Sequence, residues 1–216
     1  PIPSRGLGDV YKRQHVFLTP TGFGSVFLSI FSIVRPGDEI LAADPVYSPT
    51  RLLTQDFLKS FNIKTIFYNP RDLSTLKNKI TKKTKLIYVE NPGSNSFEFQ
   101  DLSKIISIAK RYKLFSVIDN TWGTPYYLKP IKLGFDMSIV SATKYYSGHS
   151  DVMGGSLAVN KRVFKQVEKA NKITGLRLGP DDSYLIIRGL RTLDVRLDRH
   201  QENAKKVASF LSRHKK

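Results

Sequence analysis

The stretch "SATKYYSGHSD", residues 141 to 151, sets Lys144 between small hydroxyl residues and a Gly-His-Ser-Asp turn, directly behind an apolar run with strand character. A primary amine held there can condense with a carbonyl, and the Ser141 and Thr143 hydroxyls beside it are spaced to meet an anion. Asp119 closes a second apolar run, "LFSVID". A carboxylate in such a dry setting is costly unless a cation meets it. Tyr47, behind "DPV", can lay its ring over a planar ligand. "TPTGFGS", residues 19 to 25, brings glycines to the start of a helical pattern. There, backbone N–H groups and the positive end of the helix favour an anion.

Taken singly, each feature has an ordinary explanation: a lysine at a strand end decorates a surface, and a glycine turn before a helix is commonly structural. Together they call for a ligand with a phosphate, a protonatable aromatic nitrogen and an aldehyde, and pyridoxal phosphate carries all three. Neighbouring polar residues are read more plainly. His149 and Asp151 fix the loop behind Lys144, and Trp122 packs beside the Asp119 strand. Asn91 and Ser94 suit a cofactor-site edge and a strand-end turn equally. Arg188, Arg191 and Arg196 recur along a helix as a solvated or interface stripe, assigned to the connection with whatever follows.

The elements that must position these groups alternate regularly. "DEILAA", "IKTIFY", "TKLIYVE", "LFSVIDN", "DMSIVSAT" and "GSLAVN" read as strands, several of them apolar on both faces as buried parallel strands must be. Helical spacing covers 24–34, 47–61, 73–80, 101–112 and 161–171, with turn and capping chemistry in "RPGDE" and "NPRDLSTL". The succession predicts an α/β fold, a mainly parallel sheet with helices on both faces. Ligands gather at the carboxyl ends of such strands, and those ends with their following loops carry Asp44 and Tyr47, Glu90 to Ser94, Asp119 to Trp122, and Ser141 to Lys144.

Composition bounds the rest. The chain has 216 residues, enough to bury a sizeable core. It contains no cysteine, which excludes disulfides and thiolate chemistry and is compatible with a reducing, cytoplasmic setting. No metal site is expected. The longest apolar stretch, "SVFLSIFSIV", is too short to cross a bilayer, which takes about 20 apolar residues. The net charge of +17 raises nucleic acid as a partner. Its lysines are spread over helices and turns without interleaved aromatics, so a solvated basic surface is the preferred reading. "PIPSRGLGDVYKRQ", residues 1–14, has no sustained period and resembles an adaptor-like leader. Residues 15–190 form the expected ligand-binding domain, and 191–216 an amphipathic helix leading towards a further C-terminal domain.

Five stretches then make the sequence recognisable: "RPGDEILAADPVYSPTR", "VENPGSNSFEFQDL", "VIDNTWGTPYYLKPIKLGFD", "SATKYYSGHSDVMGG" and "RGLRTLDVRLDRHQENA". In this order they resemble the Cys/Met-metabolism family of pyridoxal-phosphate enzymes, from about "LTPTGFG" to the end of the chain, with the likeness leaning to its cystathionine-cleaving β-lyases. The resemblance implies the large cofactor domain of the aspartate-aminotransferase-like fold, termed fold-type I. It makes Lys144 the Schiff-base lysine and Asp119 the partner of the ring nitrogen. Tyr47 becomes the stacking tyrosine, with a secondary part in keeping the lysine or substrate amine in its reactive protonation state. Gly22 and Phe23 match the pair whose amides hold the phosphate, helped by the Ser141 and Thr143 hydroxyls. Phe23 departs from the smaller residue often found there.

The implied reaction is β-elimination on an amino-acid thioether, cystathionine giving homocysteine, pyruvate and ammonia, in a cytoplasmic homo-oligomer built as a dimer of dimers. The resemblance also implies phosphate contacts from a tyrosine and an arginine of a neighbouring subunit, and an arginine beyond Lys216 for the substrate carboxylate. γ-Acting relatives share fold, cofactor and lysine, and remain the nearest alternative; "ENPGSNSFE" leans towards the β-lyase. A basic binding module without chemistry is the remote one.

Overall fold

A computed structural model describes residues 15–214. Seven strands form one sheet in the order β1-β7-β6-β5-β4-β2-β3. They are β1 (His15–Thr19), β2 (Glu39–Ala43), β3 (Lys64–Tyr68), β4 (Thr84–Glu90), β5 (Phe115–Asp119), β6 (Met137–Ser141) and β7 (Gly155–Val159). β3, β2, β4, β5 and β6 run parallel, whereas β7 is antiparallel to both β6 and β1. β2 and β7 are buried at every position, and β4 and β6 at nearly every one, because helices cover both faces of the sheet. The expected α/β architecture is therefore present.

The helices are α1 (Gly22–Phe31), α2 (Ser48–Leu52), α3 (Leu58–Ser60), α4 (Leu102–Arg111), α5 (Thr124–Tyr127), α6 (Pro130–Leu133), α7 (Phe164–Thr174), α8 (Pro180–Leu190) and α9 (Leu193–Leu211). Thr21 caps α1 by accepting the Gly24 amide, and Asp101 caps α4 by accepting the Lys104 amide. Along α4, Ile105, Ile106, Ile108 and Ala109 form the buried stripe that its apolar spacing demands.

Several sequence expectations shift. The helix expected over 47–61 is interrupted by a π-helical turn at Leu53–Phe57 between α2 and α3. The helix expected over 73–80 shrinks to a single 3-10 turn, Leu76–Lys79. Leu73 and Leu76 are nonetheless buried, so their spacing serves the core from a turn. β1, α5 and α6 lie outside the expected strands and helices, and the helix expected to carry Arg188, Arg191 and Arg196 divides into α8 and α9, the latter running Leu193–Leu211. Residues 1–14, expected as a leader, lie outside the described residues.

Candidate active site

Strand register brings the candidate residues to one edge of the sheet. Asp119 ends β5 between Glu90, the last residue of β4, and Ile139 of β6. Ser141 ends β6, and Lys144 follows in a tight turn whose amide donates to the Ser141 carbonyl at 3.1 Å. Lys144 is exposed, which leaves its amine reachable.

Thr121 links the two strands. Its amide and its hydroxyl both donate to Asp119 Oδ1, at 3.0 and 2.6 Å, while the hydroxyl oxygen accepts the Ser141 amide at 2.9 Å. Asp119 is thus fixed through one oxygen, and Oδ2 accepts no hydrogen bond among the described residues. Burial pushes the Asp119 carboxyl above the ordinary aspartate range, against the lowering effect of the two Thr121 hydrogen bonds. Next to it, Glu90 is pushed up to about 7, first by burial and then by the Asp119 charge. Among the described residues the site therefore holds two carboxyl groups and no cation ion-paired to them, an arrangement that a positively charged ligand group relieves.

The other end of the site is an anion cradle. Of the first amides of α1, Gly24 donates to Thr21 Oγ1 at 2.9 Å and Ser25 to the Thr21 carbonyl at 3.3 Å. The Gly22 and Phe23 amides are left without a capping acceptor among the described residues. Gly22 packs so closely on Ser141 that a Cβ there would lie 2.5 Å from Ser141 Oγ. Only glycine brings these amides beside that hydroxyl, which has no hydrogen-bond partner among the described residues. The residues present therefore fit a phosphate at Gly22, Phe23 and Ser141 and a ring cation at Asp119 Oδ2.

Thr143 sits in the same turn with its hydroxyl committed to Gly154, accepting the Gly154 amide at 3.0 Å and donating to its carbonyl at 3.3 Å. Tyr47 caps α2 with its side chain 48% exposed, free to cover a ligand, and its amide donates to Glu90 Oε2 at 2.7 Å. Glu90, one of the strand-end residues, has no role assigned from the sequence. A glutamate closing an apolar strand is the same signal that marks Asp119.

The Lys144 turn is held from behind. Asp151 pairs with Arg188 at 2.6 Å, and His149 Nδ1 lies 2.6 Å from the Ser147 carbonyl, in keeping with the loop-fixing role read for both. Gly189 of α8 lies against the turn, where a Cβ would come within 2.2 Å of the Tyr146 and Ser147 carbonyls. Arg196 reaches the Gly189 carbonyl at 2.8 Å and lies against Gly148. Arg188 and Arg196 thus brace the lysine turn rather than forming only a solvated stripe. Trp122 is 52% exposed and stacks edge-on against Phe97 with ring centroids 5.3 Å apart.

The family model described as Cys/Met metabolism PLP-dependent enzyme matches residues 5–216. A cystathionine beta-lyase of Coxiella burnetii is 36% identical over 98% of this chain and 55% of its own. An L-methionine gamma-lyase of Fusobacterium nucleatum subsp. polymorphum is 35% identical over 97% of this chain and 54% of its own. The crystal structure of cystathionine gamma-lyase from Lactobacillus plantarum complexed with L-serine superposes with a TM-score of 0.90 at 31% identity, covering 97% of this chain and 55% of that one. The chain spans about half the length of the curated relatives it matches.

Proposed function

Because the chain belongs to the Cys/Met-metabolism family of pyridoxal-phosphate-dependent enzymes, we propose that it is the cofactor-binding part of a carbon–sulfur lyase that cleaves cystathionine by β-elimination. The observation that carries the reading is the continuous array Gly22–Ser141–Thr121–Asp119, anion cradle at one end and unpaired carboxylate oxygen at the other, with Lys144 one turn beyond Ser141.

Each residue has a physical task. The Gly22 and Phe23 amides and the Ser141 hydroxyl bind the phosphate, with Thr143 shaping the turn through Gly154. Thr121 aims Asp119 so that Oδ2 keeps a proton on the ring nitrogen. The half-exposed Tyr47 ring would cover the bound cofactor and help keep the substrate amine or the lysine in its reactive protonation state. When bound, pyridoxal phosphate supplies an electron sink for the negative charge that develops at the substrate α-carbon. Lys144 Nζ takes the α-proton. The β-carbon–sulfur bond then breaks, the thiol leaves as homocysteine, and the three-carbon remainder hydrolyses to pyruvate and ammonia.

The β-lyase of Coxiella burnetii supports β- over γ-elimination, as does the "ENPGSNSFE" turn, in which Ser94 donates to Glu90. The γ-lyase relatives support the second reading. Cystathionine itself separates them: β-elimination releases pyruvate and homocysteine, whereas γ-elimination releases 2-oxobutyrate and cysteine. Pyruvate as the main keto acid, from this chain completed with its flanking sequence, is the expected outcome; 2-oxobutyrate overturns the β assignment. The proposal includes a cytoplasmic homo-oligomer, a dimer of dimers. Val195, Val207, Phe210 and Leu211 stand exposed along α9 as apolar surface to be covered. No helix among the described residues is long and apolar enough to cross a membrane.

A further inference from the structure

Glu90 is an ionisable side chain that the fold buries to 7% exposure without an ion-pair partner among the described residues. Both of its oxygens are used: Oε2 accepts the Tyr47 amide at 2.7 Å, and Oε1 accepts the Ser94 hydroxyl. Tyr47 opens α2 without a side-chain cap of its own; Glu90 holds its amide, while its carbonyl accepts the Arg51 amide at 3.0 Å. In the parallel β4–β5 pair, Glu90 lies directly beside Asp119 and leaves the sheet on the same face.

We propose that Glu90 is a positioning residue that couples the Tyr47 turn to the Asp119 carboxylate, so that a cation held at Asp119 and a firmly seated Tyr47 favour each other. The proposal rests on Asp119 being the carboxylate that meets the cofactor's ring nitrogen. Two like charges side by side in a buried setting oppose each other's ionisation. A cation at Asp119 offsets that field, which lets Glu90 ionise and turns its bond to the Tyr47 amide into a charge-assisted one. By reciprocity, an ionised Glu90 makes Asp119 a stronger base towards the ring nitrogen.

The groups facing Glu90 are few. Asp119 stands on β5, and the buried Tyr88 hydroxyl lies two residues back on β4, itself pushed up by burial and by both carboxylates. Past the end of β2, Asp44 and Arg51 are paired with each other at 2.5 Å. Lys144 belongs to the turn after β6, one strand farther than Asp119.

Because Glu90 titrates near 7 in the fold, the stability it lends is present below the unfolded-state glutamate range and is lost as pH rises towards and through about 7. The test measures melting temperature of the cofactor-free chain from pH 5 to pH 8, and pyridoxal phosphate affinity at pH 8 by fluorescence, for wild type, Glu90→Gln and Glu90→Ala. Glutamine keeps an acceptor for the Tyr47 amide and loses the charge, while its NH2 group meets Ser94 only if that hydroxyl turns from donor to acceptor. Glu90→Gln should flatten the fall of melting temperature across pH 5–8 and weaken the cofactor by about tenfold at pH 8. Glu90→Ala, which also frees the Tyr47 turn, should melt lower than Glu90→Gln at every pH and bind the cofactor more weakly still. A wild-type slope together with wild-type affinity in Glu90→Gln overturns the coupling. A flattened slope in a protein whose wild type binds no pyridoxal phosphate supports the carboxylate pairing and overturns the cofactor reading of Asp119 instead.

Discussion

Two aspartates at opposite ends of neighbouring strands, Asp136 buried and Asp119 half-buried, show how one sheet divides structure from chemistry. Asp136, just before β6, is 4% exposed and fully engaged. Its Oδ2 accepts the Ser116 amide at 3.0 Å and Arg162 at 3.0 Å, and its Oδ1 accepts Asn160 at 2.9 Å. Arg162 also stacks on the Phe115 ring at 4.3 Å. Asp119, at the other end of β5, has Thr121 on one oxygen, Glu90 as its neighbour and no cation among the described residues. A carboxylate with its cation supplied by the fold acts as a structural clasp, and one without it is open to a positively charged ligand group. The same distinction separates the two ends of the sheet: at the amino ends of β5 and β6 polar groups satisfy one another, while at the carboxyl ends amides and carboxylates stay available.

The largest effect should come at the available end. Lys144→Ala should lower lyase turnover by a factor on the order of 10³ or more, since it removes the group that moves the α-proton. Its exposed side chain supports no packing, so the melting temperature should stay close to wild type. The two aspartates should then separate cleanly. Asp136→Ala should cost about 3 kcal/mol of stability in denaturant unfolding, by leaving Arg162 and the Ser116 amide without their acceptor. Asp119→Ala should leave cofactor-free stability unchanged or raised, because it relieves a carboxylate pair, while weakening pyridoxal phosphate binding and α-proton exchange. Equal destabilisation by both variants would remove the distinction. Gly22→Ala should cost about 1–3 kcal/mol through its clash with Ser141 and displace the phosphate amides, read as weaker cofactor binding in a titration. Smallest of all, Arg188→Ala breaks a half-exposed pair with Asp151 and should shift stability by about 0.5 kcal/mol.

How far the sequence reaches follows the same division. Strands that are apolar on both faces announce a parallel sheet, and an acid, a lysine and a glycine turn at strand and helix ends announce its chemistry. Asp119, Ser141, Gly22 and Lys144 were therefore legible. Their mutual placement was not, because Thr121 bridging Asp119 to Ser141 depends on strand order, and Glu90 lies beside Asp119 only through β4–β5 register. The brace of Arg188 on Asp151 joins residues that no local period relates. Leu73, Leu76 and Ile80 imitate helical spacing yet approach the core from a 3-10 turn, and the π turn at Leu53–Phe57 leaves no periodic mark. Thr143 reads in the sequence as a second ligand hydroxyl, and its added tie to Gly154 across the turn was not legible there.

The most direct test of the central claim is chemical trapping. The protein is loaded with pyridoxal phosphate, reduced with borohydride, digested, and its peptides are mapped by mass. The account predicts one dominant pyridoxyl-bearing peptide, modified at Lys144. Modification centred on a different lysine, or spread evenly over the basic surface, would contradict it.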